Sequence, residues 1–288
     1  MSQEPGTLTS ETIRKRISCR SYREDPLSES DRQKLRDFLL RNVETPFGNK
    51  VRFELVTLEE KQHEEIRTLA TYGFIKGAKT YIVGAVTKGR LAMEDFGYCM
   101  EKNILCATSL GLGTCWLGGT FNRSASAGKI RLSEDEVVPC ITPVGYPRDR
   151  KSLMDSTIRF IAKSSSRKAW EELFFEGDTS TPVTPKAAGK YELPLECVRL
   201  GPSASNKQPW RIIKEKDKAV FHFYLSRTPG YREKYPDASL QDVDMGIAMC
   251  HFEIGIRETN QGGRWEQVQP PQQKVLEYVV SWVGNAAE

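Results

Sequence analysis

The 288-residue chain carries 42 Lys and Arg against 38 Asp and Glu, a net charge of +4, and its basic residues are scattered along the chain, which argues against nucleic-acid binding. No apolar run approaches the roughly 20 residues of a membrane span and the N-terminus has no basic-then-apolar leader pattern, so neither a membrane nor a secreted protein is expected. Seven cysteines with no CxxC pair and no Cys/His cluster at ligand spacing imply reduced thiols in a cytoplasmic protein without a zinc site.

Ser10 is placed to cap a short helix over about 11–17, and a second helix follows Asp25-Pro26 over about 28–41, with Leu35, Phe38 and Leu39 on one face. Val51 to Val56 alternates apolar and polar residues, as a half-buried strand does. Tyr81 to Val86 is short and continuously apolar, which predicts a central strand covered on both faces. Asp95 opens a long helix whose Phe96, Met100, Ile104, Ala107 and Leu110 face the core, and Gly111-Leu112-Gly113 ends it. Those glycines follow a helix, whereas a dinucleotide-binding Gly-x-Gly follows a strand and opens a helix, so no Rossmann site is expected. Val137 to Val144 is a further short strand, closed by Gly145-Tyr146-Pro147. The polar, Pro- and Thr-rich residues 176–191 predict a surface crossing between two halves, after which Pro209-Trp210-Arg211-Ile212-Ile213 restarts an extended segment.

The second half retraces the first. Asp95, Gly97, Met100, Gly113 and Trp116 recur as Asp244, Gly246, Met249, Gly262 and Trp265, each 149 positions later, and Asn49-Lys50-x-x-Phe53 is echoed 157 positions later by Asn206-Lys207-x-x-Trp210. The two offsets imply a loop lengthened by eight residues between the paired segments. Chance recurrence of small residues on two amphipathic helices is the bland account. The alternative is a tandem duplication whose halves, 1–175 and 176–288, pack about a pseudo-two-fold axis like an isologous dimer in one chain.

Residues 202–210, Pro-Ser-Ala-Ser-Asn-Lys-Gln-Pro-Trp, gather hydroxyls, amides and backbone NH groups in a proline-bounded turn that could rim a planar ligand. On composition alone an ordinary solvated turn before a strand is the commoner outcome. Thr114 to Gly119 is compact enough for backbone to approach a ligand, and a plain helix cap and turn accounts for it equally. Arg14-Lys15-Arg16 with Arg20 and Arg23, and Lys163 with Arg167 and Lys168, would each suit a phosphate. No Ser/His/Asp or Cys/His constellation is present, so no catalytic side chain is assigned, and Cys250 and His251 read as packing residues.

Three segments together resemble the FMN-dependent nitroreductase family: Cys19-Arg20-Ser21-Tyr22-Arg23, Leu110 to Gly119, and Pro202 to Trp210. The resemblance is spread over most of the chain. It implies an α+β nitroreductase-like fold with mixed and antiparallel sheets flanked by helices, doubled here into a tandem pseudo-dimer. The family's Arg-Arg-Ser-x-Arg segment, with Cys19 in place of the first Arg, carries over to Arg20, Ser21 and Arg23 as FMN contacts. Its Pro-Ser-x-x-Asn segment maps onto Pro202, Ser203, Ser205 and Asn206, the loop after the long helix onto Gly118 and Gly119, and its phosphate-binding basic pair onto Arg167 and Lys168. In ordinary homodimeric members the Pro-Ser-x-x-Asn segment reaches the flavin from the partner subunit; here one chain would complete one site and act as a monomer. Its counterpart looks degraded, with Pro46-Phe47-Gly48-Asn49 in the loop position.

The implied activity is FMN-dependent oxidation of NAD(P)H, with ping-pong hydride transfer to a nitroaromatic, quinone or similar small-molecule acceptor. The alternative is a flavin carrier or sensor that keeps the binding fold without turnover. Reductive dehalogenation and flavin fragmentation share the fold and remain open, and residues 226–236 are expected among the loops that select a substrate.

Overall fold

The computed structural model describes residues 7–58, 75–119, 121–148, 166–234 and 238–285. Helix α1 (Ser10–Lys15) is capped one residue earlier than expected, by the Thr9 hydroxyl accepting the Thr12 N–H. Ser10 is used elsewhere: its N–H and hydroxyl donate to the Glu258 carboxylate at 2.7 and 3.0 Å, tying the start of the chain to its second half. Helix α2 (Glu29–Arg41) follows a Ser28 cap, with Leu35 and Leu39 buried as expected.

Strands β1 (Val51–Thr57) and β2 (Thr80–Thr87) pair antiparallel, and α3 (Ala92–Ser109) begins three residues before Asp95, after a left-handed Leu91. Strand β3 (Gly113–Thr114), helix α4 (Arg123–Lys129), β4 (Glu136–Val137) and β5 (Ile141–Gly145) complete a first sheet in the order β1-β2-β5-β3, with β4 also on β2. The single strand expected over Val137 to Val144 is therefore two pieces. Pro139 has no N–H for a ladder, and Val138-Pro139-Cys140 steps out of the pairing between the Val86–Val137 and Val83–Ile141 partners. β2 is covered on both faces as predicted: Ile82 and Val86 join the core containing Phe96, while Tyr81, Val83 and Ala85 pack with Tyr22, Leu117 and Ile141 on the other side.

The polar crossing is more ordered than its composition predicts. Strands β6 (Phe174–Glu176) and β7 (Asp178–Pro182) form the edge of a second sheet before α5 (Pro185–Ala188) and α6 (Glu192–Leu200). β7 is exposed throughout, which accommodates its Ser, Thr and Pro residues. Strands β8 (Trp210–Lys214) and β9 (Val220–Leu225), helices α7 (Tyr231–Lys234) and α8 (Leu240–Glu258), and strands β10 (Gly263–Glu266) and β11 (Glu277–Gly284) follow, giving the order β10-β11-β9-β8-β6-β7. Only β6 runs parallel to its neighbour β8; the other pairs in this sheet are antiparallel.

The four strands β1-β2-β5-β3 and the four strands β8-β9-β11-β10 share order and pairing sense, each with a long helix between the second and third strands in sequence. Those helices, α3 and α8, are buried almost all round because they pack on each other and on their own sheets. Their crossing is reciprocal. A Cβ on Gly97 would stand 2.2 Å from the Val243 carbonyl oxygen, and one on Gly246 would stand 2.0 Å from the Glu94 carbonyl oxygen. Gly97 and Gly246, like Glu94 and Val243, are related by the 149-residue offset, so each helix presents the same pair of positions to the other. The loops before β1 and β8 match too: Phe47 N–H donates to Asp95 at 3.0 Å and Ala204 N–H to Asp244 at 2.9 Å, with Phe47 and Ala204 related by the 157-residue offset.

Candidate functional site

The segment 202–208 leaves α6 as a tight turn with Ser205, Asn206 and Gln208 at φ of 51°, 53° and 47°, the left-handed region that costs a non-glycine residue of order 1–3 kcal/mol. The surroundings hold that strain in place. Ser203 Oγ accepts the Gln208 N–H at 2.8 Å, Ser205 Oγ lies 3.1 Å from the Tyr231 hydroxyl, and Asp244 takes the Ala204 N–H. Gln208, fully enclosed, accepts the Lys168 N–H at 2.8 Å, and Asn206 Nδ2 donates to the Ser166 carbonyl at 3.1 Å. The turn is thus buttoned to residues 166–168, which bring Arg167 and Lys168 to it.

Arg167 donates to the Leu200 carbonyl at 3.0 Å, at the C-terminal end of α6, and reaches Asn206 Oδ1 at 3.5 Å. Burial, then repulsion from Arg16 and Arg199, pushes its guanidinium down to about 10. Arg199 is already neutralised by Glu196 through two contacts of 2.7 Å. Arg16 is not: its side chain is 5 % exposed and, among the described residues, it meets the Glu101 carboxylate only at 3.8 Å and its Nε and Nη1 have no hydrogen-bond partner. Buried donors without acceptors are costly, and two neighbouring guanidiniums raise that cost further. An anion between Arg16 and Arg167 relieves both penalties, and a phosphate offers oxygens for each fork. Arg20 is in the same region, since it and Arg16 both act on the buried Cys115 thiol. Arg16 stands close enough to Arg167 to repel it, and Arg167 reaches Asn206, so the N-terminal segment and the 202–208 turn approach each other through these two arginines.

The N-terminal segment is fixed by backbone pairing. Cys19 N–H donates to the Thr114 carbonyl at 2.7 Å, Lys76 N–H to the Arg20 carbonyl at 2.8 Å, and Arg148 N–H to the Ser21 carbonyl at 3.0 Å. Ser18 pairs with Thr114, which covers the outer edge of β3 and carries residues 16–21 past the loop after α3. In that loop Gly118 lies against Leu240 at the start of α8 and against Cys140, where a Cβ would stand 2.6 and 3.1 Å from those side chains, and Arg123 holds the Gly118 carbonyl. Gly119 is exposed beside it. Arg23 turns away: its side chain is 54 % exposed, pairs with Asp25 at 2.7 Å and lies over the Tyr146 ring. Pro202 and Ser21 are half-buried. Lys168 stands with Arg211 and Lys207, and their repulsion adds to burial in lowering its ammonium. Lys163 lies outside the described residues, as do residues 235 and 236 of the 226–236 loop.

The sequence groups Arg16 with Arg14, Lys15, Arg20 and Arg23 as suited to a phosphate, but the family resemblance carries over only Arg20, Ser21 and Arg23 as FMN contacts. The signal was present: Arg16-Ile17-Ser18-Cys19-Arg20 has the spacing Arg-x-Ser-x-Arg three residues upstream, with the second arginine replaced instead of the first. The first arginine of that register, Arg16, is buried, whereas Arg23 lies outside. Also missed was the buried contact of Glu101 on α3 with His251 on α8, 2.9 Å apart, which joins the halves beneath Arg16. Among the described residues no three His, Cys, Asp or Glu side chains gather as a metal set, and no helix is long and apolar enough to cross a membrane.

A putative nitroreductase of Thermotoga maritima has a solved structure that superimposes with a TM-score of 0.60 over 98 % of this chain and 96 % of its own, at 18 % identity. An FMN-dependent nitroreductase of Clostridium difficile matches 51 % of this chain and 92 % of its own at 20 % identity, with a TM-score of 0.42. An Archaeoglobus fulgidus protein named as a putative NADH dehydrogenase/NAD(P)H nitroreductase is 29 % identical over 82 residues, 27 % of this chain and 47 % of that protein, so the match spans about half of this curated relative's length. The architecture is an α+β nitroreductase-type fold. The family model described as "Putative TM nitroreductase" matches residues 9–256, and the chain belongs to that family.

Proposed function

We propose that the chain is an FMN-dependent oxidoreductase of nitroreductase type, with one flavin site assembled from both halves of a duplicated chain. The observation that carries this reading is the buried Arg16 guanidinium, whose Nε and Nη1 have no hydrogen-bond partner among the described residues, near Arg167, which in turn reaches the Asn206 turn. Arg16 and Arg167 hold the phosphate, with Arg20 and Ser18 following along the N-terminal segment. The strained turn at Pro202, Ser203, Ser205 and Asn206 presents polar atoms without bulk, and Gly118 and Gly119 let backbone approach a flat ring. Bound FMN would accept hydride from NAD(P)H and pass electrons to a nitroaromatic, quinone or similar acceptor, chemistry that belongs to the cofactor. The protein's part is binding, orientation and a fixed field of donors, for which no nucleophile or metal is required.

The reciprocal Gly97 and Gly246 contacts and the paired Asp95 and Asp244 loop bonds support duplication, with the halves meeting near residue 175, where β6 passes to the second sheet. The equivalent turn at 46–49 is closed by Asp95, which takes Phe47 N–H, Asn49 N–H and Asn49 Nδ2, so its polar atoms are spent internally. One site per chain and a monomer follow. Seven free, buried cysteines support a reducing, cytoplasmic setting.

The test is the visible spectrum of the purified protein, followed by NADH or NADPH oxidation with menadione or a nitrofuran. A yellow protein turning over acceptor is expected. Colourless protein that binds no added FMN refutes the reading, and bound flavin that neither nicotinamide reduces would make the chain a flavin carrier. The double variant Arg20→Ala/Asn206→Ala should lose FMN with its circular dichroism unchanged, whereas Arg23→Ala should keep it.

A further inference from the structure

We propose that His251, acting through Glu101, keeps Arg16 available to an anion and is a positioning residue of the phosphate pocket; this rests on the flavin-phosphate reading above. Glu101 is wholly buried and its two oxygens are divided. Oε2 accepts the Trp116 indole N–H at 2.7 Å, and Oε1 lies 2.9 Å from His251 Nε2. His251 is equally buried, and its Nδ1 lies 2.8 Å from the Cys197 carbonyl, which can only accept, so Nδ1 bears a hydrogen. The Nε2 to Oε1 contact then holds one proton, as imidazolium with carboxylate or as imidazole with carboxylic acid. In either form Oε1 is committed to the imidazole.

That commitment explains the geometry of Arg16. A buried arginine beside a free carboxylate closes to about 2.7–2.9 Å, usually through both fork nitrogens. Arg199 does this with Glu196, at 2.7 Å twice, where the carboxylate is anchored, among the described residues, by one other side-chain donor only, the Trp170 indole N–H at 3.1 Å. Arg16 stops 3.8 Å from Glu101 Oε1, with Nε and Nη1 unpartnered. Trp116 and His251 anchor both oxygens and hold the carboxyl group short of Arg16, so Glu101 does not consume the arginine's donors. His251 comes from the second half of the chain and Arg16 from the first, so the α3–α8 crossing fixes where the Glu101 carboxyl group stands relative to Arg16.

The experiment compares FMN with riboflavin, which lacks the phosphate, by quenching of flavin fluorescence on the full chain at fixed salt. Wild-type protein should bind FMN more tightly. His251→Asn keeps a donor for the Cys197 carbonyl but frees Oε1 to close on Arg16; FMN affinity should fall about 10- to 100-fold with riboflavin affinity unchanged. His251→Gln, whose amide can still reach Glu101, should retain the preference, and adding Glu101→Gln to His251→Asn should restore it. Trp116→Phe frees the other oxygen and should act like His251→Asn, which covers the case in which His251→Asn does not fold. An unchanged FMN-to-riboflavin ratio in His251→Asn or Trp116→Phe overturns the proposal, as does loss of both ligands together. Wild-type protein that does not distinguish the two flavins would instead overturn the phosphate reading itself.

Discussion

Gly246→Ala probes the helix crossing on which the site is hung. The added methyl would stand 2.0 Å from the Glu94 carbonyl oxygen and 2.7 Å from the Tyr98 nitrogen. Carbon-to-oxygen contacts ordinarily begin at about 3.3 Å, so α3 and α8 must part by roughly 1 Å at their closest point. Both obstructing atoms are main chain, and no rotamer change relieves them. A gap of that size forfeits a quarter to a half of the dispersion well for each facing pair, among them Phe96, Met100, Met245 and Met249 in the shared core. Overpacking typically costs about 1–3 kcal/mol, and a backbone collision at the centre of the molecule belongs at or above the top of that range. At about 3 kcal/mol, Tm should drop by roughly 6–12 °C. Gly97→Ala, 2.2 Å from the Val243 carbonyl oxygen, should cost a similar amount, and the double variant less than the sum, because helices already parted admit the second methyl. Gly128→Ala on α4, with nothing within 4 Å, is the control and should stabilise by about 0.5–1 kcal/mol. Thermal and urea unfolding followed by circular dichroism measure all four; Gly246→Ala within about 0.5 kcal/mol of wild type would refute the close contact.

The two loop-capping aspartates should respond differently to the same change. Asp95→Asn turns an amide toward the Asn49 donors and should cost about 1–3 kcal/mol in urea unfolding, whereas in Asp244→Asn the new NH2 takes the place of an Oδ2 that has no partner, so the loss should stay below about 1 kcal/mol; equal losses would contradict the hydrogen bonding described. Glu94 is pushed up to about 8, first by burial and then by the negative charge of Asp242, while in the unfolded chain it titrates near about 4.3. The folded state therefore keeps a proton that the unfolded state gives up, and stability should fall as pH rises across that interval. Glu94→Gln should flatten the dependence between about pH 5 and 8 in urea unfolding, and an unaltered slope would count against a protonated Glu94.

Much of the fold was legible because its elements are locally consistent: α2 follows its Ser28 cap, β1 alternates, and β2 is apolar throughout because both faces are covered. The breaks came where tertiary contacts outweigh local pattern. Asp95 carries an N-cap residue type but spends its carboxylate on the 47–49 turn, so α3 starts earlier. The Thr- and Pro-rich stretch near 180 has loop composition yet is strand, because an exposed edge asks little of its side chains. In the candidate site, the 202–208 turn stood out through its short polar residues, whereas Arg16 stood only within a basic cluster and fell outside the resemblance because one of two overlapping arginine-and-serine registers was chosen. His251 read as packing because no periodicity reveals that a buried imidazole faces a carboxylate 150 positions away.

The reciprocal crossing of α3 and α8 is written twice in one gene product. In a symmetric pair of identical subunits every replacement strikes both sides of the axis at once, so a change tolerable at one pocket is tested in two. Here Gly48 and Ser205 occupy corresponding turns with φ of 81° and 51°, and each position can vary while its counterpart stays as it was. Such a molecule can specialise one cleft for binding and hand the other over to purely mechanical duty.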